Sequence, residues 1–252
     1  MDIIKDLAII NSNVFKKSIK GFKNNWVIIF TGFAYTILNL VLFSLVNFLF
    51  KGVLSILAGF VAAIITSSLI SNYLYLLYNI IKYDRISLEN FKDGFKYFIW
   101  KVYGIFFIAW VVGFLLDIIG NAIRLPYHTF NLIVSILVLI IFNPLPEIIY
   151  QKSYSPWESV ISSFEFMKEN WFNWLLPNAL FTFLIYKFSG RIITNMFVTH
   201  LSFNFDLSAR GILIYLLGQV LFSFIMFYRG FLFEILSTST RRKRFYMRKF
   251  YD

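Results

Sequence analysis

The sequence has no cysteine and only two histidines, His128 and His200, among its 252 residues. Without cysteine there are no disulfides, no thiolate metal sites and no thiol nucleophile. The two histidines stand far from any cluster of carboxylates, so they do not suggest a metal site. The HExxH, glycine-rich phosphate-loop and GxSxG motifs are also missing from the sequence. It therefore predicts no metal, no other cofactor and no enzymatic activity.

Charged residues are scarce as well. They make up 15% of the chain, against 59% hydrophobic residues, whereas soluble domains are about 25% charged. The net charge of +11 could suggest nucleic-acid binding, but the basic residues lie between and beyond hydrophobic runs and form no continuous basic face. The composition therefore indicates an integral membrane protein and argues against a nucleic-acid partner.

What the sequence does contain is long uncharged hydrophobic runs. The run at 26–50 covers about 37 Å as a helix, which is enough to cross a hydrocarbon core of about 30 Å. The other predicted spans are 52–81, 102–123, 128–142, 171–186 and 211–228, the last extending toward 234. The Asn-Pro-Leu-Pro stretch at 143–146 interrupts the fourth span, because two prolines so close break or kink a helix. The run at 192–205 is too short for a span, and we interpret it as interfacial or re-entrant.

An amphipathic segment precedes the fifth span, at 155–171. Ser155 is a favourable N-cap, Pro156 suits the first helical position, and Glu158 completes a capping box. One face of the helix is apolar and comprises Trp157, Val160, Ile161, Phe164, Met167 and Trp171. Such a helix is predicted to lie in the membrane interface and to run straight into the next span. The alternative is an ordinary surface helix on a soluble core.

A similar arrangement occurs three times along the chain. The other amphipathic segments are 3–24 and 82–101, the second with Ser87 as its predicted N-cap. With an offset of 145 residues, the first segment matches the third at Ser18 and Ser163, Lys23 and Lys168, Asn25 and Asn170, and Trp26 and Trp171. The weaker middle copy depends on Gly-Phe-Lys, present at 21–23 and 94–96. The alternative is coincidence in a chain rich in phenylalanine and lysine.

The predicted fold class is therefore all-α, a single polytopic membrane helix bundle across 1–252 with six transmembrane helices. It comprises three repeats of an amphipathic interfacial helix plus two spans, at about 3–81, 86–150 and 155–236, and a basic tail at 237–252. With both termini in the cytoplasm, 18 basic residues lie inside against 5 outside. The chain is rich in Ile, Lys, Asn, Phe and Tyr, whose codons are AT-rich. This indicates an AT-rich bacterial genome, so we expect the protein in a bacterial cytoplasmic membrane. The amphipathic segments would then face anionic lipids.

Polar residues inside predicted spans are candidate functional groups, because they are costly in hydrocarbon. Asp117 lies in the third span on a face that also carries Asn121. One interpretation is a cation or proton site facing a cavity. The interpretation that we favour is a structural role, in which Asp117 pairs with Arg124, Arg191 or Arg210 near the outer surface.

A second polar group lies toward the inner ends of the fourth and sixth spans. Asn143 and Glu147 flank the double-proline break, and Arg229 and Glu234 follow in the sixth span. The predicted topology puts Glu147 and Arg229 at similar depth. We therefore expect these two residues to form an ion pair.

A ridge of small residues runs along the second span. Ser55, Gly59, Ala63, Ser67 and Ser71 are spaced four apart and so share one helix face. Small residues let a neighbouring helix approach closely, so the ridge predicts a packing surface. A substrate-lining role is the alternative.

Several short stretches together resemble a loose group of bacterial six-span membrane proteins. The stretches are Gly-Phe-Lys-Tyr-Phe at 94–98, Pro-Glu-Ile-Ile at 146–149, Trp-Glu-Ser at 157–159, Ser163, and Lys-Glu-Asn-Trp at 168–171. The group includes uncharacterised proteins and the membrane domain attached to some glycerophosphodiester phosphodiesterases. The resemblance covers most of the chain and implies three repeats, but its motifs are structural and carry over no catalytic residue. The phosphodiesterase domain itself is absent from this sequence.

The sequence favours a non-enzymatic membrane protein, an accessory or scaffold that contacts lipid or a membrane-protein partner. The alternative is a small transporter or permease subunit, which Asp117, Asn143, Glu147 and the proline break would serve. An intramembrane enzyme is the third hypothesis, with no motif in its favour.

Overall fold

The computed structural model describes residues 2–123, 127–190, 192–201 and 208–239. Every regular element within these ranges is helical, which confirms the predicted all-α class. The α-helices are α1 (Asp2–Asn24), α2 (Thr31–Leu49), α3 (Ser55–Tyr83), α4 (Leu88–Tyr97), α5 (Ile99–Ile123), α6 (Tyr127–Ile141), α7 (Leu145–Gln151), α8 (Pro156–Ser189) and α9 (Ala209–Thr238). Short 3-10 segments, Trp26–Phe30 and Gly52–Leu54, precede α2 and α3.

Five of the described segments are long and apolar enough to cross a membrane. They are Trp26–Leu49, Leu57–Tyr83, Ile99–Gly120, Thr129–Gln151 and Ala209–Thr238. By length and composition they identify a multi-pass membrane protein, and they coincide with predicted spans one to four and six. The predicted fifth span lies within α8, which is not among the five because polar residues such as Asn173, Asn178 and Lys187 reduce its hydropathy. The six-span count is not confirmed.

Helices α4 and α8 begin at the two caps that the sequence predicts. Ser87 Oγ accepts from the backbone N–H of Asn90 at 3.1 Å, and the Asn90 side chain accepts from Ser87 in return. At α8, Ser155 Oγ accepts from the Glu158 N–H at 3.3 Å while the Glu158 carboxylate accepts from the Ser155 N–H at 2.8 Å. These hydrogen bonds from Ser155 hold the pKa of Glu158 below its usual value.

The two matching segments of sequence fold differently at their ends. Asn25 terminates α1, and its Nδ2 donates to the carbonyls of Gly21 at 3.0 Å and Asp84 at 3.1 Å. The bond to Asp84 ties the end of α1 to the end of α3. The equivalent Asn170 donates back to the carbonyl of Phe166 at 3.3 Å, and α8 continues beyond it without a break.

Helix α9 forms the middle of the bundle and packs against α1, α3, α7 and α8. Aromatic rings make several of these contacts. Tyr73 of α3 stacks on Phe222 of α9 with 6.2 Å between ring centroids, and Phe166 of α8 lies 4.8 Å from Phe233. Most residues of α9 from Phe222 onward are buried, so this half of the helix belongs to the core.

Helices α2, α3 and α4 meet at a set of uncharged hydrogen bonds. The Tyr35 hydroxyl donates to Asn72 Oδ1, and Asn72 Nδ2 donates to the Phe91 carbonyl. Ser71 Oγ donates to the Gly94 carbonyl at 2.7 Å. A Cβ at Gly94 would lie 3.1 Å from the Asn72 Cα, so any larger residue would push the two helices apart by a few tenths of an ångström. We call Tyr35, Ser71, Asn72, Phe91 and Gly94 the neutral cluster.

The small-residue ridge of α3 is packed at one end and open at the other. Ser67 and Ser71 are fully buried, and Ser71 contacts α4. The close approach predicted at Gly59 is not found, since a Cβ built there would meet no described atom within 4 Å. Here α3 and α5 separate, and Gly59 and Ala63 line a cleft of about 430 Å³ with Trp110 on its far wall.

The segment predicted to be interfacial or re-entrant contains no helix in its described part, 192–201. Its Phe197 ring packs edge-on against Phe106 of α5, with 5.4 Å between centroids. Gln219 of α9 donates to the Leu201 carbonyl at 3.0 Å. The rest of the predicted segment, 202–205, lies outside the described residues.

Candidate functional site at the break between α6 and α7

Three residues separate α6 from α7, toward the inner end of the predicted fourth span. Pro144 and Pro146 lie at this break and are buried. Neither has an N–H group, so they cannot donate to the carbonyls of Ile140 and Phe142, four residues earlier. The predicted interruption is therefore confirmed, and the broken helix has polar backbone groups that need other partners.

Those partners come from the break itself and from two neighbouring helices. The backbone N–H groups of Asn143 and Leu145 bond within the break, to the carbonyls three residues before each. Ser163 Oγ of α8 donates to the Ile141 carbonyl at 3.0 Å. Arg229 Nη2 of α9 donates to the Asn143 carbonyl at 2.8 Å. Irregular backbone at membrane depth is tolerated when protein groups satisfy it in this way.

Arg229 also forms an ion pair with Glu147, as the sequence predicts. Its Nε lies 2.7 Å from Glu147 Oε1 and its Nη2 lies 2.9 Å from Oε2, which is a two-pronged arrangement. The Glu147 side chain is fully buried, and that of Arg229 is 12% exposed. A buried carboxylate is stable only when it is paired and hydrogen-bonded, and here both of its oxygens are bound.

Two more side chains complete what we call the charged cluster, Asn143, Glu147, Trp174 and Arg229. Asn143 Oδ1 accepts from Arg229 Nη1 at 3.2 Å and from Trp174 Nε1 at 2.8 Å. The guanidinium carbon lies 5.2 Å from the centroid of the Trp174 ring, within the range of a cation–π contact. Trp174 is not among the predicted site residues, although an indole N–H inside a span needs a partner when it is buried.

A lysine holds the end of α7. Lys101, at the start of α5, donates to the carbonyls of Ile149 at 2.9 Å and Lys152 at 2.8 Å. A cation is favourable there, because the last carbonyls of a helix are unsatisfied and carry partial negative charge. Burial, together with the charge of Lys82, lowers the pKa of the neighbouring Lys152 amine. From the sequence, Lys101 counts only as one of the basic residues on the inner side, and this contact is not predicted.

Asp117 and Glu234, the other predicted polar residues whose side chains the structure describes, do not join the charged cluster. Asp117 is exposed on α5, and no described basic side chain lies within 4.0 Å of it. Two of its predicted partners, Arg124 and Arg191, lie outside the described residues. Asn121 belongs to α5, and Glu234 pairs with Lys82 of α3 at 3.2 Å in an exposed position.

The pairing within the charged cluster leaves few groups that could take part in a reaction. The Glu147 carboxylate is neutralised by Arg229, so it is a poor general base and a poor ligand for a free cation. The described residues contain no group of three or more metal-ligating side chains. Beside the ion pair lies a cavity of about 50 Å³, lined among others by Asn143, Asn178 and Arg229. The ion pair and its hydrogen bonds therefore hold α7, α8 and α9 together next to a small cavity that has both polar and apolar walls.

No protein-family model, no curated protein sequence and no solved structure matches this chain. The resemblance to six-span membrane proteins therefore stays a prediction.

Proposed function

We propose that this chain is a non-enzymatic accessory or scaffold protein of the bacterial cytoplasmic membrane. In this proposal the helices on its cytoplasmic side contact anionic lipid and present the protein to a membrane-protein partner. The observation that carries the proposal is the surface of α1.

Helix α1 has three faces. One face is buried against the bundle and comprises Ile10, Val14, Ser18, Gly21 and, just after the helix, Asn25. A second face leaves apolar side chains exposed, at Phe15, Ile19 and, just beyond the helix, Trp26. The third face is basic and exposed, with Lys16, Lys17, Lys20 and Lys23. A helix anchored on one side, with apolar and basic faces on the others, suits the boundary between headgroups and acyl chains.

Exposed tryptophans support the same assignment. Trp26, Trp100 and Trp157 are more than half exposed and lie at or beside helix starts that the proposed topology puts in the cytoplasm, and Trp171 is equally exposed within α8, where the proposed fifth span begins. Tryptophan side chains concentrate at membrane interfaces because one part of the ring system is apolar and the N–H is polar. The four positions therefore fit a belt in the inner leaflet.

Six spans arranged as three repeats belong to the same proposal. The matched positions of α1 and α8 share burial, since Ser18 and Ser163 are both fully buried while Trp26 and Trp171 are both more than half exposed. This likeness supports the repeat. With α8 as the additional crossing, both termini lie in the cytoplasm.

Cysteine labelling tests the crossing by α8. The natural chain has no cysteine, so Lys168→Cys and Lys187→Cys each add a single reactive thiol. If α8 crosses, a membrane-impermeant maleimide added to intact cells labels Lys187→Cys, and it labels Lys168→Cys after the cells are opened. Lys51→Cys is the control for an outside position. Equal labelling of both α8 variants in intact cells would refute the six-span topology.

Lipid selectivity tests the function. The full chain is reconstituted in vesicles of equal phosphatidylglycerol and phosphatidylcholine, extracted, and analysed by native mass spectrometry. Lys16, Lys17, Lys20 and Lys23 are changed together to Gln. Each basic residue near an anionic surface contributes about 1 kcal/mol, so we expect the ratio of bound anionic to zwitterionic lipid to fall at least about tenfold.

The matched control changes Lys51 and Lys187 to Gln, which are exposed lysines on the predicted outer side. Because it removes two separate charges rather than a cluster of four, it should lower the lipid ratio far less than the α1 variant does. An equal loss in the control, or no loss in the α1 variant, would remove the support for lipid contact through α1.

A further inference from the structure

A crevice of about 510 Å³ lies between α6 and α8. Its walls are mostly apolar and include Leu139 and Ile140 of α6 and Leu175, Ala179 and Phe183 of α8. The volume falls in the range of small-molecule sites, which is about 300–1,000 Å³. Such a space in hydrocarbon is suited to an alkyl chain.

The crevice adjoins the 50 Å³ cavity beside the ion pair. Both spaces are lined by Asn143, Asn178 and Thr182, and the smaller one also reaches Arg229. The apolar crevice therefore ends at the polar groups of the smaller cavity. A ligand that fits both spaces has a hydrocarbon tail and a small polar end.

Asn178 supplies an unused acceptor at that end. The residue is 6% exposed, and its Nδ2 donates to the Trp174 carbonyl at 2.7 Å. Its Oδ1 has no donor among the described residues. A buried amide oxygen without a donor is costly, so this oxygen favours a ligand that donates a hydrogen bond.

Arg229 supplies the complementary donor. A guanidinium has five N–H groups. Four of its hydrogen bonds go to Glu147 and Asn143. One Nη1 hydrogen therefore remains without an acceptor among the described residues, and Arg229 lines the cavity that Asn178 also lines.

The charge of the site selects a neutral ligand. Glu147 already neutralises Arg229, so an anionic headgroup would meet no unpaired cation and would lie close to a carboxylate. A hydroxyl group both donates and accepts, so it can donate to Asn178 and accept from Arg229 without bringing charge into the membrane.

We propose that the crevice between α6 and α8 binds a neutral long-chain alcohol, with its hydroxyl between Asn178 and Arg229. Its alkyl chain follows the apolar walls out toward the bilayer. Asn178 lies seven residues beyond Trp171, about 10 Å along α8, so the hydroxyl sits below the headgroups. That depth rests on the proposed crossing by α8, whereas the site is separate from the lipid-contacting faces of α1.

Photo-crosslinking of the full chain in phosphatidylcholine nanodiscs tests the site. The probe is palmityl alcohol with a diazirine in its chain, and its methyl ether serves as the matched ligand that cannot donate. We expect the alcohol to label peptides from α6 and α8, and Asn178→Leu to reduce this labelling about fivefold, the effect of one neutral hydrogen bond. The methyl ether should label weakly and equally in both proteins.

Two further variants keep the test decisive. Asn173→Leu makes the same change on α8 outside the crevice lining and should label like the unchanged chain. Ala179→Trp fills the crevice and should abolish labelling. Because Ala179 is exposed, this test does not depend on whether Asn178→Leu folds. Equal labelling by the alcohol and its ether, or labelling that survives Ala179→Trp, would overturn the proposal and leave water as the occupant of the cavity. The α1 lysine variant should not affect any of these results.

Discussion

The charged cluster and the neutral cluster both bury polar side chains between helices, but they differ in what happens when a partner is lost. In the charged cluster, Arg229 and Glu147 satisfy each other's charge. In the neutral cluster, Asn72 bonds to Tyr35 and to the Phe91 carbonyl without any charge. An orphaned neutral group costs its desolvation, whereas an orphaned charge in a low dielectric costs several times more.

The two clusters also differ in which parts of the chain they join. The neutral cluster joins helices close in sequence, α2, α3 and α4, and depends on a glycine that permits close approach. The charged cluster joins a broken span to α8 and α9 across 82 residues. The first can form as its own part of the chain folds, and the second forms only when the whole bundle is assembled.

Removing the cation should have the largest effect. Arg229→Met leaves Glu147 buried without a counter-charge and also strips the Asn143 carbonyl of its donor. We expect a loss of about 3–5 kcal/mol in the free energy of unfolding, measured by chemical denaturation in detergent micelles. The double variant Arg229→Gln with Glu147→Gln should recover much of this loss, because no unpaired charge remains.

The internal control for that experiment is Trp174→Phe. It keeps an aromatic ring beside the guanidinium but removes the neutral hydrogen bond to Asn143, worth about 1 kcal/mol, and part of a fully buried side chain, so its cost should stay below that of Arg229→Met. If Arg229→Met or Glu147→Gln unfolds at the same denaturant concentration as the natural protein, the ion pair does not stabilise the fold.

The neutral cluster should be less sensitive. Asn72→Ala removes the partner of the Tyr35 hydroxyl and of the Phe91 carbonyl, and we expect a loss of about 1–3 kcal/mol in the same denaturation measurement. Combining it with Tyr35→Phe should add less than the single effects predict, because the two residues share a bond. Asn173→Ala, at a half-buried position on α8, is the control. A loss equal to that of Arg229→Met would remove the distinction between the clusters.

The sequence predicts the local features of this molecule well. Ser87 and Ser155 are recognisable as caps because capping depends on residues within one turn. The break at Pro144 and Pro146 is predictable because proline lacks a donor. Pro177 shows the limit of that rule, since α8 continues through it.

Longer-range features are predictable only where topology constrains them. The pairing of Glu147 with Arg229 follows from their similar depth, because two opposite charges in hydrocarbon have few other partners. The contacts of Trp174 and Lys101 depend on how α5, α7 and α8 are oriented, which no local pattern specifies. The packing predicted at Gly59 fails for the same reason, since a ridge of small residues does not determine how far along it the neighbouring helix follows.

The long separation between Glu147 and Arg229 has a consequence for biosynthesis. At about 5–20 residues per second, the 82 residues between them take the ribosome roughly 4–16 seconds to make. Throughout that interval the fourth span carries a carboxylate without its counter-ion, and the Asn143 carbonyl lacks its donor from Arg229. The insertion machinery must therefore hold this segment at the membrane surface, or shield its carboxylate from hydrocarbon, until α9 emerges.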